Sequence, residues 1–217
     1  MTPVLTSPAG VTLIGGGEVT AADLAQALAL APVAAAADSG ADRALAAGLM
    51  PEAVFGDLDS LSQAGRAAIP PDRLHRVAEQ ETTDFEKALS RIGAPFVLGV
   101  GFSGPRTDHL LAALTTLVRL RRPPCLLLAG EDLAFAAPDR LRLDLPPGTR
   151  LSLYPLGPVT GTSRGLRWPI GGLTLDPAHR TGTSNETTGP AELALHGPCI
   201  IILPREHAAA AIRAIRV

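Results

Sequence analysis

The stretch "AVFGDLDSL", residues 53–61, is a short apolar run that ends in a glycine and two aspartates separated by one leucine. A short apolar run bounded by turn residues indicates a buried strand. In extended backbone, residues two apart project to the same side, so Asp57 and Asp59 are predicted to face a shared space while Leu58 points away. Two carboxylates about 5 Å apart repel by about 3 kcal/mol at an effective dielectric of about 20. The stretch therefore predicts a positive partner at the end of a buried strand.

Similar apolar runs alternate with helical patterns from residue 11 to about residue 129. The strand candidates are VTLIGGG, PVAAAADSG, EAVFGD, LHRVAEQ, PFVLGVG and CLLLAG. In the first helical segment, Thr20 is a candidate N-cap, and Leu24 and Leu28 fall on one face. Six strands separated by helices predict a parallel sheet with helices on both faces.

The pattern changes beyond about Glu131. The segments RLRLDL and TRLSLYPL alternate with period two, and PPG, GPVTG, PIGG and HGP supply turn residues between them. This part predicts an antiparallel sandwich or barrel. The expected fold class is therefore α/β, with an N-terminal parallel-sheet three-layer α/β domain over residues 1–129 and a C-terminal antiparallel β-sandwich domain over residues 130–217.

Composition excludes several classes of partner. The chain has 217 residues, of which 46% are hydrophobic, and a net charge of −2. Since there is no basic stripe to neutralise a phosphate backbone, nucleic acid is not an expected partner. The N-terminus has no basic segment leading into an apolar one, and Pro32 interrupts the most apolar stretch, so we expect a cytoplasmic protein without a membrane partner. Cys125 and Cys199 lie in separate apolar runs and are predicted to be buried thiols.

Acidic residues follow the predicted strands. In an open parallel sheet, ligands gather at the carboxyl ends of the strands. The positive partner there could be an arginine, a proton held at a raised pKa, or a hard divalent cation. No histidine or cysteine lies near Asp57 or Asp59 in the chain, which argues against zinc and favours Mg²⁺. The acids in these positions are Asp38, Asp57, Asp59, Asp84 and Asp108.

Magnesium held by few carboxylates usually accompanies phosphate. The chain lacks G-x-x-x-x-G-K-[ST] and is therefore not a P-loop enzyme. Backbone amides for phosphate could come from GGG at 15–17 or from GVGFSGPR at 99–106, where Arg106 adds a bidentate fork. The second loop also fits G-x-G-x-x-G, with Glu131 placed as a ribose-binding acid, so a nicotinamide-dependent oxidoreductase is an alternative.

The segment QETTDFEKAL, residues 80–89, has the pattern of a capped helix. Thr82 or Thr83 can cap it, which puts Asp84 in the first turn near the positive end of the helix dipole. Lys87, the only lysine in the chain, shares the face of Asp84. The pair is either an ordinary ion pair or, beside a metal site, an amine that meets a phosphate.

Six segments, in this order, resemble the thiamine pyrophosphokinase family, also called thiamine diphosphokinase. They are ADSGADRAL, GDLDS, QETTDFEKAL, GFSGPRTDHLLAAL, GLRWPI and GTSNE. The resemblance implies an α/β catalytic domain that binds ATP and Mg²⁺, followed by a β-sandwich that binds thiamine. It implies transfer of a pyrophosphoryl group from ATP to the hydroxyethyl oxygen of thiamine, giving thiamine diphosphate and AMP. It also implies a homodimer whose active sites lie between subunits.

The resemblance implies roles for individual residues. The implied Mg²⁺ ligands are Asp57, Asp59 and Asp84, with Asp38 close by. The residues implied in catalysis are Asp38, Asp57, Asp59, Asp84, Arg106 and Asp108. Those implied in ATP binding are Gln80, Thr83, Lys87, Arg106 and His109. Those implied in thiamine binding are Trp168, Ser184 and Asn185. Trp168, the only tryptophan, would stack against the cationic ring with about 0.5–2 kcal/mol.

Four positions depart from the family pattern. Ser39 and Pro105 stand where glycine is usual, and Asp42 and Ala113 stand where asparagine is usual. Proline at 105 removes an amide that could have met phosphate. A third hypothesis is a non-catalytic thiamine-binding module, but such a binder of a cationic vitamin would not need the carboxylates and Arg106.

Overall fold

The fold is seen in a computed structural model that describes residues 2–104 and 106–216. The chain divides into two compact units, and the division falls between Ala129 and Gly130. No helix within the described part of the chain is long and apolar enough to span a membrane.

The first unit, here the α/β unit, alternates strands and helices as predicted. Its strands are β1 (Leu5–Thr6), β2 (Val11–Ile14), β3 (Val33–Ala37), β4 (Ala53–Gly56), β5 (Leu74–Arg76), β6 (Ile92–Gly93), β7 (Val97–Val100) and β8 (Cys125–Ala129). Its helices are α1 (Ala21–Leu30), α2 (Gly40–Ala46), α3 (Gln63–Ala68), α4 (Asp84–Leu89) and α5 (Thr107–Arg119), with a 3₁₀ turn at Pro71–Arg73.

The strands of the α/β unit pair in parallel. Strand β7 lies between β2 and β8, and β4 lies between β3 and β5. Strand β2 lies beside β3, where the Val33 N–H donates to the Gly10 carbonyl. Strands β1 and β6 form a separate short parallel pair. Every residue of β2, β4 and β7 is buried, as expected for a parallel sheet covered on both faces. All six predicted strands are confirmed, as β2, β3, β4, β5, β7 and β8.

Local signals explain where the helices begin. Thr20 caps α1 through a capping box with Asp23, and α1 buries Leu24 and Ala27. Thr83 caps α4 by accepting the Glu86 N–H at 3.3 Å. The caps predicted from sequence are therefore confirmed at both helices.

The second unit, here the β unit, is mainly antiparallel sheet. Its strands are β9 (Asp132–Ala136), β10 (Arg140–Leu143), β11 (Arg150–Pro155), β12 (Val159–Leu166), β13 (Thr174–Leu175), β14 (Gly182–His196) and β15 (Cys199–Pro204). A 3₁₀ turn at Arg205–His207 precedes helix α6 (Ala208–Ile215).

Strand β14 is shared by two antiparallel sheets. Its first part pairs with β11, which continues to β15 and β9. Its second part lies between β10 and β12, and β12 continues to β13. Helix α6 packs against β10 and buries Ala211, Ile212 and Ile215. The α/β fold class is confirmed, whereas α6 was not predicted because its alanine-rich segment carries no cap signal.

Both cysteines are free and buried, as predicted. Burial raises the pKa of the Cys125 thiol above its usual range and raises the pKa of Cys199 to about 12. Neither thiol is therefore a ready nucleophile at neutral pH.

Candidate active site

Three carboxylates meet at the carboxyl ends of β3 and β4. One oxygen from each of Asp38, Asp57 and Asp84 lies within 4.8 Å of the others. Asp38 follows β3, Asp57 follows β4, and Asp84 opens α4. The structure therefore brings together acids that are far apart in the sequence, as the predicted sheet edge requires.

Asp38 supplies the least solvated member of this carboxylate group. Its backbone has a φ of 46°, and its N–H donates to the Phe55 carbonyl at 2.8 Å. The side chain is buried, and its Oδ1 has no hydrogen-bond partner among the described residues. A buried carboxylate oxygen without a partner is costly unless a cation satisfies it. The all-oxygen donor set fits a hard divalent cation.

Gly56 makes this approach of carboxylates possible. It has a φ of 149°, a backbone conformation that residues other than glycine rarely adopt. A Cβ atom at this position would lie 3.0 Å from Asp38 Cβ and 3.3 Å from Asp84 Oδ1. The glycine at the end of β4 therefore leaves space for the acids on both sides of it.

Lys87 belongs to the carboxylate group. Its Nζ lies 3.3 Å from Asp84 Oδ1 and 3.7 Å from Asp57 Oδ2, and its side chain is only 2% exposed. Of the two interpretations left open by the sequence, the structure shows the ion pair directly. Contact of Lys87 with an ATP phosphate stays a prediction.

Hydrogen bonds and burial move the acidities of two carboxylates in opposite directions. The Gln80 side chain donates to Asp57 Oδ2 at 3.0 Å, and the Asp59 N–H donates to Asp57 Oδ1 at 3.1 Å. These bonds, chiefly that from Gln80, lower the pKa of Asp57. Burial raises the pKa of Asp84, although the charge of Lys87 opposes the shift. The site thus holds one carboxylate that ionises easily and one that ionises reluctantly.

The chain after β4 is a turn and not the predicted extended backbone. The strand ends at Gly56, and Leu58 has a φ of 65°. Leu58 is 3% exposed and packs in the apolar cluster with Ile69, so burial of its side chain accompanies the turn. Asp57 accepts the Asp59 N–H in the manner of an Asx turn. Asp59 is exposed and lies outside the carboxylate group, so its role as a metal ligand stays a prediction.

Asp42 accepts two hydrogen bonds from Ser62, a contact that the sequence did not reveal. Its Oδ2 accepts the Ser62 N–H at 2.9 Å, and its Oδ1 accepts the Ser62 hydroxyl at 2.5 Å. Ser62 in turn accepts the Gly65 N–H and caps α3. The cap pattern at Ser62 was visible in the sequence, but its distant partner was not. Asp42 therefore ties α2 to the end of the turn that begins at Asp57.

The two glycine-rich segments pack against each other. The Gly17 N–H donates to the Gly101 carbonyl at 3.0 Å, and a Cβ atom at Gly15 would lie 2.5 Å from the same oxygen. The Phe102 ring lies 4.6 Å from that of Phe85, which links this pair of loops to α4. Close packing accounts for these glycines without a bound dinucleotide.

The residues at the start of α5 pair with one another. Arg106 Nη2 lies 2.6 Å from Asp108 Oδ2, and its Nε lies 3.2 Å from Oδ1. Both side chains are 65% exposed, and His109 is also exposed. This pair lies outside the carboxylate group, and its role toward ATP stays a prediction. Pro105 lies outside the described residues.

The thiamine-site candidates in the β unit are held by backbone contacts. Asn185 is buried, and its Nδ2 donates to the Trp168 carbonyl at 2.7 Å. Its Oδ1 accepts the N–H groups of Trp168 at 3.2 Å and Glu186 at 2.8 Å. The Ser184 N–H donates to Ser152 Oγ at 3.0 Å. Asn185 therefore positions Trp168, and the predicted contact of Asn185 with a pyrimidine stays untested.

A carboxylate group at the strand ends of an α/β sheet is typical of enzymes that handle phosphate groups through an oxygen-bound divalent cation. Residues 24–127 match the family model described as thiamin pyrophosphokinase, catalytic domain. The α/β unit is therefore a thiamin pyrophosphokinase catalytic domain.

Solved structures share the fold over nearly the whole chain. Thiamin pyrophosphokinase from Candida albicans is 14% identical, with a TM-score of 0.76 over 91% of this chain and 89% of that one. The enzyme from Bacillus subtilis is 20% identical, with a TM-score of 0.73 over 90% and 98%. The enzyme from Geobacillus thermodenitrificans is 21% identical, with a TM-score of 0.74 over 90% and 97%. No curated protein matches the sequence.

Proposed function

We propose that the protein transfers a pyrophosphoryl group from ATP to thiamine, giving thiamine diphosphate and AMP. The observation that carries this function is the convergence of Asp38, Asp57 and Asp84, with its unpartnered buried oxygen, in a domain that matches this enzyme family. The family match supports neither a nicotinamide-dependent oxidoreductase nor a non-catalytic thiamine-binding module.

The products define the reacting bond. For AMP to leave, the hydroxyethyl oxygen of thiamine bonds to the β-phosphorus of ATP, and the bond from that phosphorus to the α–β bridging oxygen breaks. The hydroxyl group loses its proton in the same overall reaction. Such chemistry depends mainly on positioning and on neutralising charge, and it needs no covalent enzyme intermediate. A bound divalent cation, proposed to be Mg²⁺, would neutralise charge on the phosphate oxygens.

The charges of the carboxylate group support a divalent ion. Asp38, Asp57 and Asp84 carry three negative charges when ionised, and Lys87 returns one positive charge, so the net charge is −2. One divalent cation would balance it. Lys87 holds two of the carboxylates together before the ion binds, and Gln80 orients Asp57. We propose that these three acids hold the ion, with Asp59 as the alternative ligand.

Family resemblance supports the remaining assignments. We propose that Arg106 leaves Asp108 to bind phosphate, since a guanidinium fork suits phosphate as well as carboxylate. The α/β unit would bind ATP and the β unit thiamine. The further contacts proposed for ATP are Gln80, Thr83, Lys87 and His109, and those proposed for thiamine are Trp168, Ser184 and Asn185. Use of ATP as a substrate supports a cytoplasmic enzyme.

Product analysis tests the reaction. The purified protein is given ATP, Mg²⁺ and thiamine, and nucleotides and thiamine phosphates are separated by chromatography. We expect AMP and thiamine diphosphate in equal amounts, with neither formed when thiamine is omitted or Mg²⁺ is chelated. Release of ADP with thiamine monophosphate would instead identify a monophosphate kinase. Absence of any phosphorylated thiamine would overturn the proposal.

A mixing experiment tests the proposed homodimer. If each active site takes Asp57 from one subunit and Trp168 from the other, Asp57→Asn and Trp168→Ala chains should complement each other at a thiamine concentration too low for the Trp168→Ala protein alone. Random reassociation of equal amounts should restore about a quarter of the wild-type sites, because half of the dimers are mixed and each has one intact site. No recovery, with mixed dimers demonstrated by differently tagged chains, would place both residues in one subunit's site.

A further inference from the structure

Trp168 already carries a planar cation on one face. The Arg167 guanidinium carbon lies 4.9 Å from the centroid of the Trp168 ring and over its face. Trp168 is 53% exposed, so the ring is accessible from solvent. The negative face of an indole attracts cations, and guanidinium is a flat, delocalised one.

Both partners in this stack are held by neighbours. Asn185 binds the Trp168 backbone through two hydrogen bonds, which fixes the base of the indole. Glu186 lies beside Arg167, with 3.4 Å between Arg167 Nη1 and Glu186 Oε2, and its carbonyl accepts the Arg167 N–H at 2.8 Å. The guanidinium therefore keeps a carboxylate partner even when it moves off the ring.

We propose that Arg167 occupies the place of a planar heteroaromatic cation on Trp168, and that the substrate binds by displacing it toward Glu186. The inference rests on the proposed function, in which thiamine contacts Trp168. Two cations cannot stack on the same ring face, since each needs the same patch of negative potential. Arg167 thus covers one face of the ring in the free enzyme and competes for that face with the cationic ring of the substrate.

The solvent exposure of the arginine allows this exchange. The Arg167 side chain is 58% exposed and that of Glu186 is 40% exposed, so the guanidinium can swing without disturbing the core. An exposed cation–π contact is weak enough that removing it should tighten thiamine binding about two- to fivefold. Arg167 is therefore a residue that sets affinity for the substrate without touching the reacting atoms.

The single tryptophan makes the test direct, because intrinsic tryptophan fluorescence reports only on Trp168. Wild-type protein, Arg167→Ala and Arg167→Lys are titrated with thiamine in the presence of Mg²⁺ and α,β-methylene-ATP, which blocks turnover. The control is Arg164→Ala, which removes an arginine opposite Glu192 in the β12–β14 pairing. Acrylamide quenching is measured in the free state and at saturating thiamine.

Displacement has a defined signature. Arg167→Ala should bind thiamine about two- to fivefold more tightly, Arg167→Lys should be intermediate because ammonium stacks less well, and Arg164→Ala should match the wild type. Free Arg167→Ala should be quenched more than free wild type, while the thiamine-saturated proteins should be quenched equally. Weaker or unchanged thiamine binding by Arg167→Ala would overturn the inference, as would a saturated variant that is still quenched more than wild type.

Product analysis separates this inference from the proposed function. Formation of AMP and thiamine diphosphate without any fluorescence response to thiamine would overturn the role of Arg167 and Trp168 while leaving the reaction in place. Tighter thiamine binding by Arg167→Ala in a protein that makes no product would overturn the proposed reaction while leaving the role of Arg167 in place.

Discussion

Lys87 Nζ lies 3.3 Å from Asp84 Oδ1, and the same nitrogen lies 3.7 Å from Asp57. The only lysine of the chain is thus a buried cation between two carboxylates that we assign to a metal. Its position three residues after Asp84 is a local property of α4, whereas its contact with Asp57 depends on how α4 packs against β4. With a divalent cation bound by these carboxylates, the arrangement predicts that stability depends on the cation.

Lys87→Met should destabilise the metal-free protein. Removing one partner of a buried ion pair costs about 3–5 kcal/mol, and we expect about 2–3 kcal/mol here because Asp84 is 38% exposed. Saturating Mg²⁺ should recover part of this loss, since the ion replaces the missing positive charge. Urea unfolding with EDTA and with Mg²⁺ measures both effects.

Arg119→Met provides the matched control for Lys87→Met. Arg119 lies 3.2 Å from Glu86, which is also on α4 but outside the carboxylate group. Its removal should change stability equally with and without Mg²⁺. A Lys87→Met protein whose loss of stability is likewise independent of Mg²⁺ would contradict a shared cation site.

Two conservative substitutions should have opposite effects on stability at neutral pH. The pKa of Asp57 is lowered in the folded protein. Ionised Asp57 therefore stabilises the fold at pH values above 3.8, the ordinary pKa of the group, and this stabilisation is lost as the pH falls through the folded pKa. Asp57→Asn should therefore be less stable than the wild type at neutral pH. The pKa of Asp84 is raised, so its ionisation opposes folding as the pH rises from 3.8 through the folded pKa. Asp84→Asn should then be more stable at neutral pH, because the ionised form of Asp84 is disfavoured even with Lys87 beside it, and Lys87 keeps Asp57 as a partner.

Urea midpoints measured with EDTA across the acid to neutral range test this pair of effects. Both differences from the wild type should shrink toward zero in acid, where both carboxyl groups are protonated in the folded and unfolded states. Shifts of the same sign at neutral pH would show that the two environments do not differ as described.

Asp38→Asn should reduce turnover more than Asp59→Asn. Asp38 presents a buried, unpartnered oxygen to the carboxylate group, whereas Asp59 is exposed and outside it. We expect Asp38→Asn to lower kcat by about 100-fold or more and to raise the Mg²⁺ concentration needed for half-maximal rate. The reverse order would restore Asp57, Asp59 and Asp84 as the ligand set, as the resemblance implies.

Gly56→Ala should impair metal binding as well as stability. Its positive φ alone costs about 1–3 kcal/mol for a residue with a Cβ, and the new methyl group would press on Asp38 and Asp84. Gly48→Ala is a suitable comparison, because Gly48 has a φ of 75° and a methyl group added there would have no neighbouring atom within 4 Å. Calorimetric titration with Mn²⁺ should show weaker binding only for Gly56→Ala. Equal Mn²⁺ affinities would show that the Gly56 space is not needed by the ligands.

The regular elements of the α/β unit were predictable because their signals are local. The strands are apolar along their whole length since both faces of the sheet are covered. The caps at Thr20 and Thr83 act within three residues of themselves. The same locality made the "GDLDS" turn hard to predict, because the positive φ at Leu58 comes with burial of its side chain beside Ile69, which is distant in sequence.

Part of the site depended on contacts that no spacing rule contains. The pairing of Asp42 with Ser62 joins the starts of two helices, and that of Asn185 with Trp168 joins β14 to the segment after β12. Periodicity reports which face of an element is buried but not which polar groups meet across elements. Asp42 was therefore seen only as a departure from the family pattern, and Asn185 only as a ligand contact.

The sequence by itself determined the order of the six main strands and the helices of the α/β unit, the acids at the strand ends and the family to which they point, because burial and capping leave their marks on neighbouring residues. Only the tertiary structure decided that Asp38, in place of Asp59, joins Asp57 and Asp84, that Lys87 lies between two of the carboxylates, and that Arg167 stacks on one face of Trp168. The physical reason is that electrostatic and stacking contacts depend on distances of a few ångströms between side chains, and those distances are set by how separate elements pack.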